Sequence, residues 1–307
     1  KMVLWTATSS KKKEQEYDTL FKPDYDLHIL IMNVEAFSTK KGVEFAYKFL
    51  RTHKTLMTID ESTTIKNPSA KRTKSILMLG KQAKYRRILT GSPVTKSPLD
   101  LYSQCAFLNE ELLGHASYYS FRNRYAQMID RNFGGRRVQI VASYQRLDEL
   151  EDILKAFSYR VQKAQCLDLP KKIYMNRVVE LTKDQKEAYA TMKSAALAQL
   201  KGKMATAPHV LTQLMRLHQI TCGHLKSDDG KITNFKHNRI EELIDVIDEM
   251  EGKVIIWANY VHDIKEITAT LENEYGEGCV VQYYGEVSSE DRQTAIKEFQ
   301  DLNSKVK

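Results

Sequence analysis

The sequence contains no apolar run long enough to cross a bilayer and no charged-then-apolar leader at its start, so neither a membrane span nor a signal peptide is expected. Cysteine is scarce: the four residues Cys105, Cys166, Cys222 and Cys279 in 307 positions are scattered, with no Cys-x-x-Cys pair among them. That excludes a disulfide scaffold and points to a reducing, intracellular compartment. His218, Cys222 and His224 lie close enough to suggest zinc, but no second ligand cluster accompanies them, so packing at a helix end is the simpler reading. Also missing is any Gly-x-x-x-x-Gly-Lys-Ser/Thr, hence any phosphate-cradling loop of that type.

What is present is an ordinary globular composition, 42% hydrophobic and 28% charged, which excludes disordered and fibrous classes. The length allows two domains or one large α/β domain with insertions. A formal charge of +8 and a pI near 9.1 favour an acidic partner, for which nucleic acid is the usual candidate.

The stretch Thr55-Leu56-Met57-Thr58-Ile59 reads as a strand buried in a sheet, and it ends in two adjacent carboxylates, Asp60 and Glu61. At the C-terminal tip of a strand in an open α/β sheet such a pair faces the ligand crevice. One acid can hold Mg²⁺ while the other orients or deprotonates a water. A second short strand, Arg86 to Leu89, stops at Thr90-Gly91-Ser92-Pro93. One helical connection apart, the two tips are expected side by side in a parallel sheet, with the Thr90 and Ser92 hydroxyls near the acids.

These stretches carry a family resemblance. Asp60-Glu61-Ser62-Thr63-Thr64-Ile65-Lys66-Asn67 resembles motif II of the Swi/Snf-like branch of superfamily II nucleic-acid motor ATPases. Leu89 to Pro93, followed by Leu99-Asp100-Leu101-Tyr102 and Phe107-Leu108-Asn109, resembles its motif III. Thr63 stands where many members carry His, a departure that bears on the link between hydrolysis and motif III. The Asn33-Val34-Glu35-Ala36-Phe37 stretch, after an expected buried strand at 26–33, resembles motif Ib, whose loop touches the phosphodiester backbone. Arg160 to Lys163, Leu169-Pro170-Lys171-Lys172 and an expected strand over 176–182 resemble the connection between lobes. Leu211 to His224 resembles the brace-helix region, and Lys253 to Tyr260 resembles motif IV.

The resemblance implies an α/β fold of two RecA-like lobes, both incomplete, with helical insertions. The expected divisions are a first lobe at 1–109, a helical insertion and connector at 110–172, a linking strand and brace at 173–235, and a second lobe at 236–307 with parallel strands near 253–260 and 280–288. It implies ATP and Mg²⁺ as cofactors, with Asp60 serving the metal and Glu61 the attacking water. Thr90, Gly91 and Ser92 would couple nucleotide state to lobe closure. Asn33, Lys66, Asn67, Asn259, Tyr284 and Gly285 would contact DNA, double-stranded or branched. Protein partners are not indicated.

The expected activity is a DNA-stimulated ATPase moving along duplex DNA, in a compact bacterial or viral version, or in a nucleus if eukaryotic. A non-catalytic nucleic-acid scaffold and a strand-separating helicase on DNA or RNA stay open as alternatives. The chain starts inside what reads as a strand and stops before the family's motif VI arginines, so it is expected to be a fragment. An arginine finger contributes roughly 10³ to 10⁵ in rate, and such a fragment is expected to hydrolyse ATP barely or not at all. Two further stretches fall outside the motifs. From Leu99 to about Gln165 the pattern reads as helical without strands; Tyr118 to Arg137 interleaves aromatic residues with arginines in a way that suits stacking and backbone contact on nucleic acid, while aromatics at helical spacing more often mean core packing.

Overall fold

The computed structural model describes residues 1–7, 10–133, 135–201 and 207–307 and divides into two compact units, Lys1–Leu169 and Pro170–Lys307. No helix among the described residues is long and apolar enough to cross a membrane.

The first unit alternates strand and helix: β1 (Met2–Leu4), α1 (Lys11–Asp18), β2 (Ile29–Ile31), α2 (Lys40–Thr52), β3 (Leu56–Ile59), α3 (Lys71–Gly80), β4 (Tyr85–Ile88) and α4 (Leu101–Leu108). β1 pairs with β2, and β3 with β4, both in parallel, so each pair needs a crossover helix and has one. The class is α/β, as expected. Thr39 begins α2 by accepting the Gly42 N–H at 3.1 Å, and Gly42, Ala46, Phe49 and Leu50 form its buried face. Ile59 of β3 meets Leu50, Ile65, Ile76, Leu79 and Phe107 in one core.

The strands are not buried on both faces, as the sequence suggests. In β3, Met57 and Ile59 face the helices while Leu56, 52% exposed, and Thr58 face outward. Likewise Leu4, Ile29 and Ile31 are exposed while Val3 is buried. The period-2 geometry of a strand puts alternate residues on opposite faces, and helices cover only one of them among the described residues. A continuous apolar run cannot report which face will be covered.

After α4 come α5 (Tyr118–Tyr125), β5 (Ala126–Phe133), β6 (Arg136–Tyr144), α6 (Leu147–Lys155) and α7 (Lys163–Cys166). β5 and β6 form an antiparallel hairpin where the sequence reads as helical. The period-2 alternation of Val138 and Ile140 in β6, after the turn at Gly135, prevails over the helical aromatic spacing. Gly134, within the aromatic and arginine stretch, lies outside the described residues.

The second unit holds α8 (Lys183–Lys201), α9 (Ala207–Thr221), the hairpin β7 (His224–Lys226) and β8 (Ile232–Asn234), α10 (Arg239–Asp248), α11 (Val261–Tyr275) and α12 (Ser289–Gln300). The strands expected at 176–182, 253–260 and 280–288 form no ladder among the described residues. Arg177 instead reaches Glu242 at 3.4 Å and also Glu249, and Asn238 donates to the Glu180 carbonyl at 3.0 Å. Residues 254–258 and 279–283 line a cavity of about 370 Å³ with Ile264, Leu271 and Phe299. Strand propensity is satisfied only by a hydrogen-bonded neighbour, and among the described residues no strand pairs with these segments.

One close approach in the first unit is decisive for α2. A Cβ on Gly42 would sit 2.3 Å from the Ala36 carbonyl oxygen, a backbone atom that cannot swing aside. Gly42→Ala is therefore expected to lower stability by about 1–3 kcal/mol, read as a lower urea midpoint, although alanine is the better helix former.

Candidate active site

The parallel register of β3 and β4 fixes the site. Ile59 lies opposite Ile88, and the ladder continues past the strands: Leu89 N–H donates to Ile59 O at 2.9 Å and Ser62 N–H to Leu89 O at 3.0 Å. The two tips expected to be neighbours are hydrogen-bonded neighbours. Asp60 and Glu61 follow β3 directly, and both are exposed. Glu61 adopts φ 49°, ψ 56°, a left-handed conformation that a residue with a Cβ rarely takes. It reverses the chain between β3 and the 3-10 turn Ser62–Ile65, and the Glu61 N–H donates to Asp60 Oδ1 at 3.0 Å.

The loop is anchored from below by a residue that the motif reading passes over. Gln104 on α4 has no exposed surface. Its Oε1 accepts from the Ser62 hydroxyl at 2.7 Å, and its Nε2 donates to Pro93 O and Asp100 O, each at 2.8 Å. One amide therefore joins the acid loop, the Thr90–Pro93 turn and the start of α4. The signal in the sequence is a lone amide on an otherwise apolar helix face beside Leu101, Cys105 and Leu108.

Thr90 and Ser92 bond within their own turn rather than toward the acids: Ser92 N–H donates to Thr90 Oγ1 at 3.2 Å, and Ser92 Oγ to Val94 O at 3.1 Å. Asp100 holds the far side of that turn, accepting from Thr95 Oγ1 at 2.9 Å, Thr95 N–H at 3.2 Å and Lys96 N–H at 3.0 Å. Burial pushes its carboxyl up, but those hydrogen bonds and the Lys66 charge outweigh burial and hold it below the ordinary 3.8.

Lys66 is engaged locally, bonded to Thr95 Oγ1 and 3.7 Å from Asp100. Asn67 accepts from Ser69 N–H at 3.0 Å and Ser69 Oγ at 2.8 Å, shaping the entry to α3. Asn33 is exposed at the start of the 3-10 turn Val34–Ser38, and the salt bridge from Arg72 to Glu35, 3.5 Å, joins that turn to α3. Asn259 and Gly285 are exposed and Tyr284 is half-buried in the second unit. In the same unit His218 meets the Tyr260 hydroxyl at 2.9 Å, and His224, buried, lies 3.1 Å from Asp263.

Among the described residues no three His, Cys, Asp or Glu groups are gathered for a metal. A dedicated protein cage is thus absent, but the exposed oxygens of Asp60 and Glu61 fit an ion that keeps its waters and shares the ligand's phosphates, as Mg²⁺ does.

The model of the SNF2-related domain matches residues 5–226. The chain belongs to the SNF2-related domain family. It is 26% identical over 246 residues to the "Uncharacterized ATP-dependent helicase MG018" of Mycoplasma genitalium, covering 78% of this chain and 22% of that protein. To the DNA repair protein RAD5 of Candida glabrata it is 26% identical over 232 residues, 70% of this chain and 18% of the relative. The chain thus spans about a fifth of these relatives. Among solved structures, the SWI2/SNF2 ATPase core of Sulfolobus solfataricus in complex with dsDNA aligns at 27% identity, covering 99% of this chain and 60% of that one, with a TM-score of 0.38. The SNF2 match takes in both strand tips, Gln104 and the hairpin β5–β6.

Two outcomes test this geometry. Gln104→Leu leaves the Ser62 hydroxyl and two carbonyls without their partner, at a cost of about 1–3 kcal/mol, and amide exchange at Ser62 and Val94 rises. Because the Asp100 carboxyl is held low, its stabilisation is present above its unfolded value near 3.8 and lost as pH falls through the folded one. Asp100→Asn is therefore less stable than the parent at neutral pH, and the two urea midpoints converge in acid.

Proposed function

We propose that this chain is the acid-bearing part of an ATP-driven motor that moves along double-stranded DNA. The observation that carries the reading is the pair Asp60 and Glu61, held at the tip of β3 and tied through Ser62 and Gln104 to the neighbouring turn. In this reading Mg²⁺, when bound, neutralises charge on the phosphates of ATP. Asp60 supplies an oxygen to the metal, and Glu61 orients the water that attacks the terminal phosphate. The left-handed backbone at Glu61 reverses the chain directly after Asp60, and in this reading the two adjacent acids serve two roles.

Thr90, Gly91 and Ser92 sense the acid loop through the shared amide of Gln104 and pass its state onward. Asn33, Lys66, Asn67, Asn259, Tyr284 and Gly285 meet the DNA backbone, Lys66 by exchanging its partners Thr95 and Asp100 for a phosphate. Branched DNA is a further substrate of the same class. We assign 1–109 to a first RecA-like lobe, 110–172 to an insertion, 173–235 to the link and brace, and 236–307 to a second lobe, working inside the cell. Family membership and the basic charge of +8 support the DNA partner.

Glu61→Gln in the longest available form of the protein separates a motor from a scaffold. A motor loses DNA-stimulated phosphate release by at least about 10²-fold and keeps its DNA affinity, whereas a scaffold shows no change in either. The 307-residue chain alone, which holds no Gly-x-x-x-x-Gly-Lys-Ser/Thr, is expected to show no turnover above background in a phosphate-release assay with duplex DNA.

A further inference from the structure

The hairpin β5–β6 takes no part in the site. Its root packs into the first unit through Met128 and Val141, which touch the cluster of Leu99, Phe121, Tyr125 and Leu150. Beyond that root, facing pairs from Ile129–Ile140 to Phe133–Arg136 continue the ladder. Ile129, Asp130, Arg131, Asn132, Arg137, Val138 and Gln139 are exposed, so the outer ribbon is uncovered on both faces. At ~3.4 Å per residue its five pairs reach about 17 Å. A two-stranded ribbon of this kind has little stability of its own in water.

The two faces differ in chemistry. Facing pairs share a side, so Asp130–Gln139 and Asn132–Arg137 give one polar face, while Arg131 and Val138 lie on the other. At the root of the polar face Arg122 of α5 donates to Gln139 Oε1 at 3.3 Å, and its guanidinium lies 5.2 Å from the centre of the Tyr119 ring, which is 66% exposed. Arg124, two residues further along α5, is closed off by Glu149 at 3.1 and 2.6 Å. Arg131 and Arg137 have no ion pair among the described residues. The ribbon thus carries unneutralised guanidinium groups together with amide donors and acceptors, in an element about two strands wide. The major groove of B-DNA, about 12 Å wide and 8.5 Å deep, admits a two-stranded ribbon.

We propose that the ribbon β5–β6 enters the major groove of duplex DNA edge-on, so that Arg137 on the polar face and Arg131 on the opposite face each reach the phosphates of the groove wall on their own side. The proposal rests on the motor reading for its duplex partner, and it adds a contact made outside the strand-tip loops. It gives the arginine and aromatic interleaving of 118–137 a physical use: Tyr119 and Arg122 brace the base of the ribbon, and its outer arginines reach the nucleic acid.

The test uses the 307-residue chain and a fluorescent 30-base-pair duplex, with a single strand of the same length alongside, titrated across a series of salt concentrations. Arg131→Ala/Arg137→Ala changes two exposed side chains. It is expected to weaken duplex binding and to make the log–log salt slope shallower by roughly 2, since each phosphate contact contributes about 0.9. Arg131→Lys/Arg137→Lys is expected to keep the parent slope. If the parent binds duplex and the alanine variant has the same slope, the ribbon is not a contact, and the motor reading stands. If the variant loses single-strand affinity as much as duplex affinity, the groove assignment is overturned. If the parent binds no duplex at low salt, the motor reading fails and the ribbon proposal fails with it.

Discussion

A glutamine side chain with no exposed surface must find every hydrogen bond inside the protein, because a buried amide left unpaired costs more than the bond returns when made. Gln104 meets that requirement with groups from three separate pieces of chain: the Ser62 hydroxyl, the Pro93 carbonyl and the Asp100 carbonyl. None of the three can shift by an ångström without stranding the amide. The acid loop, the turn after β4 and the first turn of α4 therefore hold one relative position. This buried amide, more than the exposed acids themselves, makes a site of what would otherwise be two adjoining surface loops.

The constraint explains why Glu61 can sit in a left-handed conformation. Such a backbone costs a residue with a Cβ about 1–2 kcal/mol, and it persists only where the surroundings over-determine it. Here Ile59 is fixed in the core on one side and Ser62 is fixed on the other by two hydrogen bonds, its N–H to Leu89 O and its hydroxyl to Gln104. Two residues remain to span the reversal, and both are the acids. The strain falls on the residue to which the proposed chemistry gives the water, while Asp60 keeps the N–H of its neighbour.

The adjacency of the two strand tips was legible in the sequence because its signals are local, whereas the bonding of Thr90 and Ser92 within their own turn was not. A short run of three apolar residues and a threonine ending in two acids, a second run ending in Thr-Gly-Ser-Pro and a helix between them suffice to place two parallel tips side by side. Gln104 was not legible as a site residue, since its role depends on contacts 42 residues away, at Ser62, that no spacing rule encodes. The hairpin β5–β6 was hidden for a different reason: Tyr118, Phe121 and Tyr125 carry a real helical period, which masks the change to period 2 immediately after α5. In the second unit the apolar runs at 253–260 and 280–288 have the composition of strands without the neighbours. Composition specifies that a segment can pair, and only the rest of the fold specifies with what.

The charge of the first unit follows the same division between what is spent locally and what is left over. Arg72 is paired with Glu35, Lys66 with Asp100 and Arg124 with Glu149, and each of these pairs joins two elements of the fold. Exposed pairs of this kind contribute little stability individually, of order 0–1 kcal/mol. They nevertheless remove those cations from the inventory available to a phosphate backbone unless the pair opens. A count of basic residues along the sequence therefore overstates the binding surface, and the arginines without carboxylate partners are its better guide. In the first unit that criterion selects exposed Arg51, Arg87, Arg131, Arg137 and Arg160, none with an ion pair among the described residues, and of these Arg131 and Arg137 lie together on the outer ribbon, with Asp130 beside them in the ladder.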